Sequence, residues 1–268
     1  MSDTQTDWPT DRIDLLAVRD PSEPTARMVM MVFAFPVALV VLLYVVLTLG
    51  MLLFFIGFVL AMKHIVQLFA LAYIKTNAIE VTADQHPAYH AMNQNFSSRL
   101  GIAPPTIYII RESVFNAFAA RIAGQRVVVM FSEAVDALIE GGGSRDVAFL
   151  LAHELAHHGL GHLDHVEKFV MMGNWFFWVG LWYSRCREAS CDRVALALTR
   201  DRDLCKRAVV NMTIGTHLAK STSVDAAIAQ WRQHKNEFFV RYRTLYSTHP
   251  HNLYRIEIAQ TALRDQGF

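Results

Sequence analysis

Two histidines and a glutamate lie close together near the middle of the chain. The segment His153-Glu154-Leu155-Ala156-His157 has the pattern H-E-x-x-H. On a helix, residues four apart lie on one face, so both histidines can reach one metal ion. Glu154 is then near enough to take a proton from a water bound to that ion. The pattern predicts a zinc site with a glutamate base, and the alternative is a histidine-rich, solvated helix face.

A third ligand is needed, because a catalytic zinc ion has three protein ligands and one open position. The extended pattern H-E-x-x-H-x-x-G-x-x-H requires a histidine at position 163, but the chain has Leu163, and His162 is one residue out of register. The better candidate is Glu188, on a later predicted helix. Asp192 lies four residues further on the same helical face and can accept the outer N–H of a zinc histidine. The alternative for both acids is an ordinary surface pair in salt bridges with neighbouring arginines.

Other histidines and cysteines near the motif carry weaker predictions. His158, His162 and His165 either support a ligand or face solvent. Cys186 and Cys191 lack a second cysteine pair, so they do not predict a separate zinc site.

Short β-type runs precede the motif. Thr106–Ile110 and Arg126–Phe131 are predicted strands, Val114–Ala119 is a possible third, and Gly124 marks the turn into the second run. These runs predict a small sheet beside the motif.

Helical patterns follow the strands and continue to the end of the chain. Ser132 is expected to cap a helix that runs through Leu138, and residues 141–143, all glycine, are expected to form a linker. Ser144 is then the expected N-cap of the helix that carries H-E-x-x-H.

An apolar segment lies near the N-terminus. Residues 28–62 contain no charged side chain. As one helix this run would be about 52 Å long, whereas the bilayer core is about 30 Å thick. We therefore expect a transmembrane hairpin over residues 28–75, with helices at about 28–47 and 51–74 and a break at Thr48-Leu49-Gly50. The alternative is a buried core hairpin.

Basic residues predict the orientation of this hairpin. Arg12, Arg19 and Arg27 precede it, Lys63 and Lys75 follow its apolar run, and its tip has none. The positive-inside rule then places both ends in the cytoplasm. Three sparse cysteines fit a reducing compartment. The predicted location is integral to the cell (inner) membrane, with a cytoplasmic catalytic domain.

Composition bounds the rest of the chain. It has 268 residues, 53% hydrophobic and 18% charged, with a formal net charge of +1. A nucleic-acid binder needs a basic surface, so nucleic acid is excluded as a partner. Residues 1–27 are polar with three prolines and are expected to form a flexible tail. Residues 76–268 look globular and are expected to form the catalytic domain.

The ordered set of motifs resembles the zinc metallopeptidase family that includes HtpX and the CAAX prenyl proteases. The shared elements run from about residue 104 to 256, more than half of the chain. They are Asn116-Ala117-Phe118 followed by Arg126-Val-Val-Val, His153-Glu154-x-x-His157, Glu188-x-x-x-Asp192, and Ser247-Thr248-His249-Pro250 with Arg255.

This resemblance implies a gluzincin site and a fold. One Zn²⁺ ion per chain would be held by His153, His157 and Glu188, with Glu154 as the base and Asp192 supporting a zinc histidine. The implied fold class is α+β, mainly helical: a zincin-like metallopeptidase domain with a small β-sheet and an active-site helix, preceded by the transmembrane helical hairpin.

The resemblance also assigns residues along the cleft. Asn116, Ala117 and Phe118 correspond to an edge strand that pairs with the substrate backbone. His249 and Arg255 would line the cleft and polarise the scissile carbonyl or hold the oxyanion. The alternative for His249 and the following proline is a turn that begins a helix.

The chain departs from the family between H-E-x-x-H and the third ligand, where its relatives usually carry apolar spans. Phe169–Tyr183 is too short to cross a membrane. A single crossing would also separate Glu188 from the two histidines. Its tryptophans favour a membrane-surface or re-entrant segment, and the alternative is a buried helix or loop that completes the core.

Together these features predict a membrane-anchored zinc endopeptidase that uses a metal-activated water. Polypeptides are the expected substrates, and by resemblance to HtpX these are misfolded or membrane proteins. One alternative is a prenyl-protein peptidase, although the chain offers few spans for an intramembrane chamber. A second is a catalytically silent, zinc-folded membrane scaffold, and a third is a storage or sensing metal site.

Overall fold

A computed structural model describes residues 11–112 and 116–261, with the side chains of residues 259–261 outside the description. These residues form mainly helices and one small sheet. In chain order the elements are α1 (Leu15–Val18), α2 (Glu23–Leu47), α3 (Met51–Asn77), β1 (Ile79–Glu80), α4 (Pro87–Leu100), β2 (Thr106–Ile110), β3 (Ala117–Ile122), β4 (Gln125–Phe131), α5 (Ser132–Gly142), α6 (Ser144–Gly159), α7 (His165–Val170), a 3-10 helix (Met171–Trp175), α8 (Phe177–Thr199), α9 (Arg202–Ile214), α10 (Thr216–Ala219), α11 (Val224–His234), α12 (Phe238–Leu245) and α13 (Asn252–Thr261).

The sheet is mixed and has the strand order β1-β2-β4-β3. Strands β2 and β4 are parallel, whereas β1 pairs with β2 and β3 pairs with β4 in antiparallel fashion. Ala123 and Gly124 form the turn between β3 and β4, both with positive φ (48° and 83°). Such a turn matches the twist of a tight hairpin and favours glycine. Because β3 is last in this order, no strand among the described residues pairs with its outer edge.

The strand predictions are largely confirmed. β2 has the predicted bounds, and β4 begins one residue before the predicted start. The possible third strand, predicted at 114–119, lies at 117–122 instead, and residues 113–115 fall outside the described residues. The two-residue strand β1 was not predicted, because a pair of residues carries no detectable alternation.

The predicted glycine linker is wrong at two of its three positions. α5 continues through Gly142, and only Gly143 separates it from α6. Glycine is needed at positions 141 and 142 because a side-chain carbon there would collide with Asn211 and Asp146, respectively. Ser144, the predicted N-cap, is the first helical residue, one position inside the observed cap.

Helix α6 forms the centre of the core. It packs against α8 and also against α4, α5, α9 and the sheet. Apolar residues on several sides of α6 are fully buried, among them Val147, Leu151 and Leu155. This packing places the H-E-x-x-H segment between α8 and the sheet.

Two long apolar helices, α2 and α3, precede this core. They contain 25 and 27 residues, enough by length and composition to cross a membrane. Their most apolar stretches are only 11% and 0% buried, so most of their apolar side chains are exposed. Residues 48–50 connect the two helices, with Gly50 at a φ of 112°.

The flexible-tail prediction does not hold for residues 11–27. α2 begins at Glu23, and Glu23 and Ala26 are fully buried, as is most of Val18. Pro24 occupies the first turn of α2, a position that tolerates proline. This segment is ordered because its acidic side chains have partners in the core. Residues 1–10 lie outside the described residues.

Candidate metal centre

Helix α6 places His153, Glu154 and His157 on the side that faces α8 and the outer edge of β3. His153 and Glu154 are only 6% and 7% exposed. The ring centroids of His153 and His157 are 5.4 Å apart, as expected for residues one helical turn apart. The two imidazoles therefore face a common space beside α8.

Helix α8 brings Glu188 into this space. One carboxylate oxygen, Oε2, lies 3.3 Å from Nε2 of His153, and Oε1 lies 3.6 Å from Nε2 of His157. Burial raises the pKa of Glu188, but the hydrogen bond and charge of His153 outweigh burial and lower it, so the carboxylate is ionised. Two imidazole nitrogens and a carboxylate are the donors of one class of catalytic zinc site. These residues fit zinc by their chemistry and by their convergence.

A second donor set overlaps the first. Ligand atoms of His153, His157 and Cys191 all lie within 4.8 Å of one another. Burial raises the pKa of the Cys191 thiol well above its usual range. Cys191 is also fully buried, whereas Glu188 lines the cleft. The set with Glu188 therefore suits a catalytic site with an open position better.

Asp192 contacts His153 on the side of the ring away from Glu188. Nδ1 of His153 lies 2.9 Å from Oδ1 of Asp192. Nε and Nη2 of Arg255 donate to the two carboxylate oxygens of Asp192, each at 2.7 Å. Burial raises the pKa of Asp192, but Arg255 and His153 outweigh burial and lower it. An ionised Asp192 can accept the Nδ1–H of His153 and so hold the opposite ring nitrogen, Nε2, toward Glu188.

His157 is supported by a different set of residues. Its Nδ1 lies 3.2 Å from Nδ1 of His162, and Nε2 of His162 lies 2.8 Å from Oε1 of Glu23. Burial lowers the pKa of both histidines, so both imidazoles are neutral. Sequence reasoning left the role of His162 open and missed Glu23 altogether, because Glu23 lies in a segment that resembles a polar tail.

Glu154 lies beside the two histidines in a water-poor position. Burial raises the pKa of its carboxyl to about 7, with the charge of His153 opposing and that of Glu188 adding to the shift. A hydrogen bond with the backbone of Ala119 on β3 holds the carboxylate toward the sheet edge. A carboxyl that titrates near neutral pH suits a general base.

The mouth of the cleft contains the remaining predicted residues. His249 is 64% exposed in its side chain, and its Nε2 lies 3.7 Å from Oε2 of Glu188. Two adjoining cavities of about 110 and 220 Å³ open here. Asn116 and Ala117 line the smaller one and Phe118 the larger, although the Phe118 ring also packs edge-on against Phe131. The structure therefore brings the predicted strand residues to the same cleft as His249.

Arg255 differs from the other predicted cleft residues. It borders the smaller cavity, yet it is only 7% exposed and its guanidinium is held by Asp192. Direct contact between Arg255 and a substrate oxygen therefore stays a prediction, while its contact with Asp192 is observed.

Two other histidines lie away from the metal centre. Nε2 of His158 donates to the carbonyl of Val127 at 3.1 Å, so His158 ties α6 to the sheet. His165 begins α7 and is exposed.

Comparison with known proteins gives one match. The family model described as Peptidase family M48 matches residues 83–178 and 169–263. No match was found among curated proteins or among solved structures. The two matched segments together cover more than half of the chain and include every candidate ligand on α6 and α8. The chain therefore belongs to peptidase family M48, the family of HtpX-like and CAAX-protease-like zinc metallopeptidases.

Proposed function

We propose that this metallopeptidase is a membrane-anchored zinc endopeptidase, with His153, His157 and Glu188 as the zinc ligands and Glu154 as the general base. The observation that carries the proposal is the convergence of the three donor side chains beside a buried glutamate at the inner end of an open cleft. A site that only stores zinc has no need of a proton acceptor next to an open coordination position. Hydrolysis needs both.

In this proposal the protein residues move protons and orient the substrate. Zinc held by His153, His157 and Glu188 would supply Lewis acidity and would lower the pKa of a bound water to about 7. Glu154 accepts the proton of that water and later passes it to the leaving amine, because its carboxyl titrates near neutral pH. His249, at the mouth of the cleft, donates to the oxygen that becomes negative in the transition state.

The outer edge of β3 is the proposed seat of the substrate backbone. The carbonyl and N–H groups along this edge have no neighbouring strand among the described residues. An extended peptide can add there as a further strand and bring its scissile bond next to Glu154. In support, Asn116 Oδ1 accepts the N–H of Ala117 at 2.9 Å, a local bond that an incoming carbonyl can replace.

Membrane anchoring by α2 and α3, as a hairpin, is the second part of the proposal. Large apolar side chains are exposed along both helices, including Phe35, Leu47 and Phe54. Aromatic residues of the 169–183 segment continue this surface: Trp175 is 83% exposed, and Phe176 packs on Phe33 of α2 with ring centroids 4.0 Å apart. Aromatic side chains of this kind favour the membrane–water interface.

With both ends of the hairpin cytoplasmic, the enzyme meets substrates at the inner face of the cell membrane. Misfolded or membrane proteins are then the proposed substrates, on the basis of the family. The open edge of β3 suits this class, because it reads the peptide backbone more than particular side chains.

Proteolysis of an unfolded protein by the full chain, purified in detergent with zinc, tests the catalytic proposal. Glu154→Gln is the matched control, since it keeps the size of the side chain but removes the base. We expect cleavage by the parent and none by the variant. Equal cleavage by both indicates a contaminant, and no cleavage by either at full zinc content favours a silent scaffold.

Cysteine labelling tests the hairpin. Cys186, Cys191 and Cys205 are all buried, so a membrane-impermeant thiol reagent should report on an introduced cysteine alone. Gly50→Cys is expected to react from outside the membrane, and a cysteine appended to the C-terminus only after lysis. Reaction of both from the same side contradicts the hairpin.

A further inference from the structure

We propose that Glu23 and His162 are positioning residues for the zinc ligand His157, so that the start of the first apolar helix forms part of the metal centre. The inference rests on the proposed zinc site. It goes beyond that site because it gives a function to a segment that looks like a linker between tail and membrane helix.

Glu23, His162 and His157 form a continuous hydrogen-bonded line. Oε1 of Glu23 lies 2.8 Å from Nε2 of His162, and Nδ1 of His162 lies 3.2 Å from Nδ1 of His157. On its other side, Nε2 of His157 lies 3.6 Å from Oε1 of Glu188. The rings of His157 and His162 are 5.2 Å apart and inclined at 66°, a geometry that permits an edge contact between nitrogens and rules out stacking.

Only one placement of protons satisfies this line when His157 binds zinc through Nε2. His157 can bind zinc through Nε2 only if its single proton is on Nδ1. That Nδ1–H then donates to Nδ1 of His162, so the proton of His162 must be on Nε2, where it donates to Glu23. The carboxylate can only accept, and therefore it fixes the tautomer of His162 and, through it, that of His157.

Burial makes this arrangement hard to replace. Glu23 is fully buried and His162 is 4% exposed, so water cannot easily take over a lost contact. The Glu23 carboxylate is balanced by Arg19, whose Nη2 lies 2.6 Å from Oε1. The thiol of Cys191 also approaches Nδ1 of His162, but at 3.7 Å it is a long and weak contact.

The N-terminal segment is itself fixed to α8, the helix that carries Glu188. The N–H of Asp20 donates to Oγ of Ser190 at 3.0 Å. Further along the chain, Ala26 and Met30 of α2 pack in a buried cluster with Tyr183 of α8. Glu23 therefore has a defined position relative to both metal-binding helices, and a chain lacking this segment would leave the proton of His162 without its acceptor.

Zinc affinity of the full chain in detergent, measured by competition with a chromophoric chelator, tests the inference. Because partners that orient a zinc histidine typically contribute 10- to 100-fold in affinity, we expect Glu23→Ala and His162→Leu each to weaken binding about 10- to 100-fold. Glu23→Gln should recover part of the loss, since its amide oxygen still accepts from Nε2 of His162. The double variant should bind no more weakly than His162→Leu alone, because both changes break the same line.

Matched controls separate positioning from general destabilisation. His158→Leu removes another buried histidine of the same region, one that binds Val127 of the sheet. Asp146→Asn neutralises a fully buried carboxylate at the far end of α6, where it pairs with Arg207. Thermal unfolding of the zinc-free proteins is measured alongside. Both controls are expected to keep parental zinc affinity whatever their effect on unfolding.

Each outcome decides the inference. Parental zinc affinity in Glu23→Ala and in Glu23→Gln, or additive losses in the double variant, overturn it. If Glu23→Ala fails to fold, the zinc affinity of Glu23→Gln and the absorption spectrum of its cobalt(II) form test the inference instead. A parental spectrum together with parental zinc affinity then overturns the inference. A parent chain that binds no zinc contradicts the metal-centre proposal itself, whereas Glu154→Gln should keep full zinc affinity.

Discussion

His153 and His157 lie one turn apart on the same helix, yet the two are supported from opposite ends of the chain. Asp192 contacts His153 directly and is held by Arg255, which comes from the C-terminal helix. His157 reaches its carboxylate, Glu23, only through a second imidazole, and that carboxylate belongs to the helix that enters the proposed membrane anchor.

This difference shows that the proposed metal centre joins three parts of the chain that are distant in sequence. The support of His153 comes from α8 and α13, and it is a direct, charge-balanced contact. The support of His157 depends on how the N-terminal segment packs on α8. Damage to the anchor should therefore affect one zinc ligand more than the other.

The largest effect is expected from changing the third ligand. Glu188→Ala should lower zinc content to near zero and activity by roughly 1,000-fold or more, because a catalytic zinc ion needs three protein donors. Cys191→Ser should retain zinc at one ion per chain, since the thiol is fully buried whereas Glu188 lines the cleft. Zinc content by mass spectrometry with a proteolysis assay measures both. Loss of zinc in Cys191→Ser instead would reverse the choice between the two donor sets.

Removing the direct support of His153 should be the next largest effect. Asp192→Ala leaves Arg255 buried without its carboxylate, and breaking such a pair typically costs about 3–5 kcal/mol. Both the thermal stability of the zinc-free protein and the zinc affinity should fall, and further than in Glu23→Ala. Denaturant unfolding and chelator competition measure the two quantities. A larger loss in Glu23→Ala would contradict the ranking of the two supports.

His249 lies at the open mouth of the cleft, whereas Asp192 and Glu23, the carboxylates that support the two zinc histidines, are buried. His249→Ala should lower kcat about 100-fold, as is typical for loss of one donor to a developing oxyanion, with zinc affinity and stability unchanged. Steady-state kinetics on a peptide substrate measure the effect. A fall in zinc affinity of similar size would assign His249 to the ligand set instead.

The smallest effect is expected at the strand edge. Ala117→Pro removes one backbone N–H from the outer edge of β3, where proline is tolerated. We expect KM for an extended peptide to rise about tenfold, on the order of one lost backbone hydrogen bond, while zinc affinity is unchanged. An unchanged KM in a variant of parental stability argues against substrate binding along this edge.

The part of the site that sequence could predict is local. His153 and His157, like Glu188 and Asp192, are four residues apart on a helix, and that spacing alone brings each pair onto one face. The support from Glu23 has no such signal. It spans 139 residues to His162, and in sequence a buried glutamate is indistinguishable from a solvated one.

In the fold, as in the site, local features could be predicted from sequence and features that depend on distant contacts could not. Strand β2 and the apolar helices follow from residue type and run length, and their bounds were predicted closely. The glycine run at 141–143 was misread because glycine usually ends helices, whereas here Asn211 and Asp146 need the space beside Gly141 and Gly142. A glycine that ends a helix and a glycine that makes room for a neighbouring side chain differ only in tertiary packing, which a single sequence does not display.

X-ray absorption at the zinc edge, on the full chain purified in detergent, tests the central claim most directly. Two imidazoles, a carboxylate and a water predict nitrogen and oxygen neighbours at about 2.0–2.1 Å and no sulfur. One zinc ion per chain with that shell, unchanged in Cys191→Ser, is the result we expect. A sulfur neighbour at about 2.3 Å, or a chain that binds no zinc, would contradict the proposed ligand set.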